Sequence, residues 1–260
     1  MKTVILCGGY GTRIRDVSED LPKPMLPIGG RPILWHIMKG FAHSGLNEFV
    51  LCLGYKSRVI KEFFLNYEAF TNDFTITLGE ENRVSYHDNH EEIGWTVTMA
   101  ETGAGTMTGG RISRKRRYIG DNDTFLLTYG DGVSDIDLSA LVKFHRMHGK
   151  ILTVSGVRPP GRFGEIEYVD DTRVSAFNEK PQAAEGCISG GFFVCQSGIF
   201  DYLSDDEDLV FEERPMRQLA AEGEMMVYRH EGFWQCMDTQ RDFSLLNGLW
   251  NSNAAPWRCW

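Results

Sequence analysis

An apolar run, Thr3-Val4-Ile5-Leu6-Cys7, leads straight into Gly8-Gly9-Tyr10-Gly11-Thr12-Arg13, and Pro22-Lys23-Pro24 follows soon after. Glycines at three of the first four loop positions remove Cβ atoms that would keep a ligand away from backbone N–H groups. Main chain can then wrap an anion with several oxygens. Arg13 can fork two such oxygens at once, and Lys23 adds a point charge. The flanking prolines fix φ on either side of Lys23, so little entropy is lost when it engages a ligand. The chemistry that suits this set is the handling of a polyphosphate.

Three kinds of loop could carry such a pattern. A dinucleotide fingerprint needs G-x-G-x-x-G and an acidic residue at the end of the next strand. Here Ile14 takes the third glycine's place, and the next strand, Phe49 to Leu53, ends in Gly54-Tyr55. A P-loop needs G-K-[ST], and no such tripeptide follows. The third is G-G-x-G-T-R followed by P-K-P, the signature of nucleotidyltransferases that make sugar nucleotides, and it matches in full. The plainer reading is a structural turn with incidental basic residues.

These loops need elements to position them. The first half alternates strand and helix. Strands are expected at Glu48 to Leu53, Phe74 to Leu78, Trp95 to Met99, Phe125 to Tyr129 and Ile151 to Val157. Helices are expected after Pro32, after Ser57, over Thr106 to Ile119, and over Leu138 to His148. Glu80 to Gly94 reads as a polar, irregular loop. The second half is richer in strands: Glu165 to Val169, Arg173 to Phe177, Cys187 to Cys195 and Glu224 to Tyr228, which are expected to extend the sheet. The fold class is therefore α/β: a Rossmann-like, mostly parallel central sheet with helices on both faces and a strand-rich second half. No Gly/Ser/Pro linker divides the chain, so residues 1–260 read as one domain, with a nucleotide-binding half over about 1–135 and a sugar-phosphate-binding half over 136–260.

Composition narrows the function classes. The chain has 260 residues, 42% of them hydrophobic, enough for a sizeable core. No run of 18 apolar residues exists, so no membrane span is expected, and no charged-then-apolar leader precedes the first strand. The six cysteines form no C-x-x-C and stand in apolar stretches, as expected of buried thiols in the cytoplasm. The histidine pairs His87/His90 and His145/His148 lack a third ligand at suitable spacing. A net charge of −9 argues against nucleic acid as a partner, though not against a polyphosphate in a locally positive cleft. Most of the basic run Arg111 to Arg117 reads as the solvated face of a helix.

Ligands of open α/β sheets bind outside the carboxyl ends of the strands. Leu6 closes the first strand. Tyr129 closes another and runs into Gly130-Asp131-Gly132. Further on come Gly164, then Glu179-Lys180 after a strand, Gly190-Gly191, and Trp234 just before Asp238. Asp131 between two glycines can hold Mg²⁺ against phosphate oxygens, with Asp238 as the second ligand. Each alone could be a turn or a helix cap. Lys180 can neutralise a second phosphate and Glu179 can take sugar hydroxyls, while Gly164 and Gly191 admit a sugar ring beside Tyr129 and Trp234.

The chain resembles the glucose-1-phosphate cytidylyltransferases over almost its whole length. The matching stretches include Leu6 to Arg13, Pro22-Lys23-Pro24-Met25, Gly30 to Met38, Met107-Thr108-Gly109-Gly110-Arg111 and Thr128-Tyr129-Gly130-Asp131-Gly132-Val133. Pro159 to Gly164, Gly190 to Val194, Gly232-Phe233-Trp234-Gln235, Met237-Asp238-Thr239 and Ala255-Pro256-Trp257 also match. The Thr-Gly-Gly-Arg and Phe-Trp-Gln stretches point to the cytidylyl branch, and Ser189 stands where the family pattern has Asn. The resemblance implies the nucleotide-diphospho-sugar transferase fold type, a homo-oligomer, and a role in sugar-nucleotide and polysaccharide biosynthesis. The implied reaction is CTP plus α-D-glucose 1-phosphate giving CDP-glucose plus pyrophosphate, assisted by Mg²⁺ and without a covalent intermediate. Catalytic roles fall to Arg13, Lys23 and Lys180. Leu6, Gly8, Gly9, Gly11, Thr12, Thr108, Gly110 and Arg111 are candidates for the nucleotide. Tyr129, Gly164, Glu179, Gly191 and Trp234 are candidates for the sugar, and Asp131 and Asp238 for the metal. A uridylyl- or thymidylyltransferase, a glycosyltransferase using Asp135-Ile136-Asp137 as a D-x-D metal site, and a catalytically dead sensor are the other readings.

Overall fold

The computed structural model describes the chain except residues 15, 16, 18, 80–82, 88, 89, 121–123, 159–164, 169–173 and 179–186; for residues 13, 165–168 and 174–178 it describes the backbone alone. Seven strands make the central sheet: β1 (Lys2–Leu6), β2 (Glu48–Leu53), β3 (Thr96–Glu101), β4 (Phe125–Tyr129), β5 (Leu152–Val157), β6 (Ile188–Cys195) and β7 (Met225–His230). Their order is β7-β5-β6-β4-β1-β2-β3. Strand β1 runs parallel to both β2 and β4, β2 to β3, and β5 to β7. Only β6 runs against its neighbours. The sheet is mostly parallel, as the alternation of strand and helix predicts.

Side-chain alternation along β1 explains the two-sided core. Ile5 faces one way, with Leu51, Leu126 and Val194, and packs under the Ile33–His43 and Gln240–Asn251 helices. Val4 and Leu6 face the other way, with Val50, Cys52, Leu127 and Phe193, against Ile112, Phe211 and Leu219. Strands covered on both faces need continuous apolar sequence, and Val4 to Leu6 and Phe49 to Leu53 are buried throughout. Parallel β1, β2 and β4 bring their carboxyl ends to one rim. Hydrogen bonds stitch it: Gly130 N–H donates to Leu6 C=O at 3.0 Å, and Cys7 N–H donates to Cys52 C=O at 3.0 Å.

Four expectations need correction. The helix expected over Thr106 to Ile119 is two short ones, Thr108–Ser113 and Arg116–Ile119. The basic run is only in part a solvated face: Arg116 and Arg117 are exposed, but Arg111 and Lys115 are buried, and Arg114 bonds Thr102 C=O and Thr106 Oγ1, each at 2.7 Å. Glu80 to Gly94 is not all loop. Arg83–Tyr86 pairs antiparallel with Phe74–Thr77 as a ribbon apart from the main sheet. Likewise Glu165–Tyr168 and Val174–Asn178 pair with each other rather than extending the sheet. Among the described residues no helix is long and apolar enough to cross a membrane.

Candidate active site

A cavity of about 460 Å³ opens at the shared rim. Its wall includes Leu6, Gly8, Gly9, Gly11, Thr12, Lys23, Thr108, Arg111, Tyr129, Asp131 and Asp238. Residues from both ends of the chain are thus gathered by the three parallel strand ends and by one later strand. The backbone of Arg13 lies in the one-turn helix Thr12–Ile14 beside this cavity. Lys180, Glu179 and Gly164 lie outside the described residues.

The strand pairing that follows β4 explains how the aspartates meet. Gly132–Ser134 pairs antiparallel with Trp234–Cys236. Met237 N–H then donates to Asp131 C=O at 2.8 Å, setting Asp238 beside Asp131. Asp238 does not cap the last helix. Thr239 does so, in a capping box with Asp242. The Asp238 carboxylate is turned instead toward Lys23, whose Nζ bonds both Asp131 Oδ2 and Asp238 Oδ1. Lys23 opens a one-turn helix held by Pro22 and Pro24, and Gly11, at φ +60°, lets the loop close over it. Burial by itself would lower the Lys23 pKa. The charge and hydrogen bond of Asp131, joined by Asp238, outweigh it and hold the ammonium above its usual value. Cys236 next door is pushed up to about 12, by burial first and then by Asp238.

One cation already touches both carboxylates, so the pair has the reach to share a metal ion. Two carboxylates, with phosphate and water completing the octahedron, is the donor set Mg²⁺ favours. Among the described residues no cluster of three or more His, Cys, Asp or Glu forms an all-protein metal site. The residues fit a cation shared with a phosphorylated ligand.

Arg111 lies in the cavity wall, but its fork is turned onto the protein's own backbone. Nη1 donates to Thr102 Oγ1 at 2.5 Å, Gly103 C=O at 2.8 Å and Leu53 C=O at 3.2 Å, and Nη2 to Gly8 C=O at 3.0 Å and Ala104 C=O at 3.2 Å. Its guanidinium ties the glycine loop to the end of β2. A Cβ at Gly8 would lie 2.1 Å from Arg111 Nη1, and one at Gly54 would lie 2.4 Å from it. Those two glycines make room for the arginine, whereas a Cβ at Gly9 would meet nothing within 4 Å. The Leu53-Gly54 strand end is visible in the sequence; its partnership with Arg111 is not.

The remaining candidates divide. Thr108 and Tyr129 line the cavity and both donate to Glu212, a residue that sequence motifs do not single out: Thr108 Oγ1 to Oε2 at 2.6 Å, and Tyr129 OH to Oε1. Burial, then the Glu212 charge, pushes the Tyr129 phenol well up, so it stays neutral. Gly191, at φ +77°, passes under the Tyr129 ring, where a Cβ would sit 2.5 Å from Cδ2. Trp234 does not line this cavity; its Nε1 donates to Gly190 C=O at 2.7 Å and joins the ribbon to β6. Gly110 does not line it either: a Cβ there would lie 2.4 Å from Asp206 C=O, so this glycine permits close packing. Nothing in the acidic run around Glu212 marks it as special.

The D-x-D alternative has a structural explanation. Asp137 caps the Leu138–His148 helix by accepting from Ala140 N–H at 2.9 Å, and Asp135 pairs with His230 at 2.9 Å. Neither lines the rim cavity.

The sequence matches the nucleotidyl transferase family over residues 2–245. It is 46% identical, over the full length of both chains, to a glucose-1-phosphate cytidylyltransferase of Salmonella typhi. It is 32% identical to a D-glycero-alpha-D-manno-heptose 1-phosphate guanylyltransferase of Campylobacter jejuni, over 82% of this chain and 84% of that one. The fold is similar to that of HddC from Yersinia pseudotuberculosis, with a TM-score of 0.69, 22% identity, and coverage of 96% of this chain and 99% of that one. With a glycine loop on β1, a lysine between prolines and two aspartates gathered at one rim, the chain belongs to the nucleotidyl transferase family, within the branch that holds the glucose-1-phosphate cytidylyltransferases.

Proposed function

We propose that this protein transfers the cytidylyl group of CTP to α-D-glucose 1-phosphate, giving CDP-glucose and pyrophosphate. The observation that carries the reaction type is Lys23 bound by Asp131 and Asp238 beside the Gly8–Gly11 loop in one cavity. The choice of base and sugar rests on full-length likeness to the cytidylyltransferases.

In this reading the main chain at Gly8, Gly9 and Gly11 receives triphosphate oxygens, and Arg13 holds the leaving β- and γ-phosphates. Lys23 passes from the carboxylates to an oxygen of the α-phosphate, already desolvated and charged. Lys180 steadies the sugar phosphate, whose oxygen attacks the α-phosphorus in line as pyrophosphate departs from the opposite side. No protein nucleophile is needed; positioning and charge neutralisation supply most of the rate. Asp131 and Asp238 would hold Mg²⁺, which when bound offsets charge growing on the leaving oxygen. A cytoplasmic location is in keeping with six free thiols. A homo-oligomer is in keeping with the exposed Phe74, Ile76, Val84 and Tyr86 of the outlying ribbon.

Pyrophosphate release, measured with CTP, UTP, dTTP and GTP against several sugar 1-phosphates in Mg²⁺, tests the proposal. The highest kcat/KM should belong to CTP with glucose 1-phosphate. Faster turnover with UTP or dTTP would move the protein to the uridylyl or thymidylyl reading.

A further inference from the structure

Glu212 stands just ahead of the Arg214–Ala221 helix, outside the cavity wall, yet it holds two residues of that wall. Both carboxylate oxygens are used: Oε1 accepts from Tyr129 OH and Oε2 from Thr108 Oγ1. Thr108 Oγ1 also accepts from Phe211 N–H at 2.9 Å. These bonds fix where the hydroxyl protons point. A carboxylate can only accept, so both hydroxyls must donate to it. Each has one O–H. Neither proton remains for a ligand, and both oxygens present lone pairs only.

We infer that Glu212 is a specificity-determining positioning residue: by taking the Tyr129 and Thr108 protons it makes this wall of the cavity accept hydrogen bonds, and so selects substrate groups that donate them. The inference rests on the reading that a sugar 1-phosphate enters this cavity, and the donors it assigns to this wall are hydroxyls of that sugar. Phosphate oxygens, which only accept, are kept to the Lys23 side. The Tyr129 ring is held in place from two sides, with Gly191 against one part of it and Phe193 packed edge-on at 5.9 Å. A neutral phenol held by a carboxylate is also a better acceptor than a free one, because bonds in such a chain polarise one another.

The test is a panel of glucose 1-phosphate and its 2-, 3-, 4- and 6-deoxy analogues, run on the whole protein with Glu212→Gln and Tyr129→Phe. Equilibrium binding by calorimetry and kcat/KM for pyrophosphate release are read together. Wild type should lose about tenfold in affinity for at least one analogue, the size expected when a hydrogen bond to a built site is forfeited. Glutamine offers one acceptor and one donor, so in Glu212→Gln one wall hydroxyl must turn its proton inward. Discrimination against that analogue should then shrink toward unity, through KM rather than kcat, with the melting temperature nearly kept. Tyr129→Phe should erase the same preference, and combining the two should add nothing further. A Glu212→Gln panel that keeps the wild-type ratios, or falls equally for every sugar, would overturn the inference while leaving the reaction intact. A wild type that binds no sugar phosphate and releases no pyrophosphate would instead remove the functional reading, and the inference with it.

Discussion

Replacing Lys23 with methionine tests the centre of the site most directly, because it removes charge while keeping an unbranched apolar stem. Side-chain exposures of 13% for Lys23, 27% for Asp131 and 17% for Asp238 place the triad in a mostly desolvated setting. Two carboxylates would then face each other without a cation. Like charges a few ångström apart repel by roughly 3–4 kcal/mol at an effective dielectric constant of about 20. Removing one partner of a fully buried ion pair costs about 3–5 kcal/mol. Partial exposure trims both figures, so a net loss of roughly 2–4 kcal/mol is expected, or about 5–15 °C in Tm for a chain of this size. The pH dependence has a definite sign. The Lys23 pKa is raised, so in wild type its stabilisation is complete below the ordinary lysine value and is lost only as pH climbs through the raised one. In the variant, acidification neutralises one carboxylate and narrows the Tm gap. Added Mg²⁺ should restore more stability to the variant than to wild type. Turnover at saturating substrate should fall on the order of 10²–10³, by analogy with loss of one preorganised charge-stabilising donor. Thermal unfolding at pH 6 and pH 8, with and without Mg²⁺, and pyrophosphate release are the assays. A variant that melts with wild type at pH 8 without metal, or that turns over within threefold of it, would refute the reasoning.

The glycines of the loop should separate by what surrounds them. Gly8→Ala and Gly54→Ala drive a Cβ into the Arg111 fork and should each cost roughly 2–3 kcal/mol, whereas Gly9→Ala should stay within about 0.5 kcal/mol; urea unfolding ranks them, and a reversed order defeats the assignment of Arg111 as loop anchor. Asp135→Asn should lose no more than about 1 kcal/mol, from its contact with His230, and keep Mg²⁺-dependent turnover. Asp131→Asn should abolish that turnover, and an Asp135 variant with the same defect would revive the D-x-D reading. His36 is buried between Ile28 C=O at 2.9 Å and the Trp257 indole, and burial lowers its pKa to about 4. The unfolded chain takes up this proton near pH 6.5 and the folded one only near 4, so stability drains away as pH falls across that window. His36→Gln should remove about one proton from the slope of unfolding free energy against pH between roughly 6 and 4.5; an unchanged slope would place the titration elsewhere.

Local pattern made much of this protein legible. Val4 to Leu6 and Phe49 to Leu53 could only be strands buried on two faces, and the alternation with helices predicts the mostly parallel sheet found here. The glycine loop, Asp131 and Asp238 stand at strand ends, where open α/β sheets put their ligands, and Lys23 is marked by the prolines on either side of it. Glycine and proline identities announce backbone geometry, and charge types announce chemistry; both are properties of single residues and short spacings. The antiparallel turn of β6, the separate Phe74–Thr77 and Arg83–Tyr86 ribbon, and the split of the Thr106 to Ile119 helix depend on which surfaces meet, and no local signal carries that. Side-chain allegiance was hidden for the same reason. Arg111 and Tyr129 were both legible as groups able to bind a ligand. Only the approach of Leu53 and Gly103 to the one, and of Glu212 to the other, decided that an arginine holds a loop and that a phenol donates its proton to a carboxylate. A donor's partner is chosen by distance in space, and chain order records distance only between near neighbours.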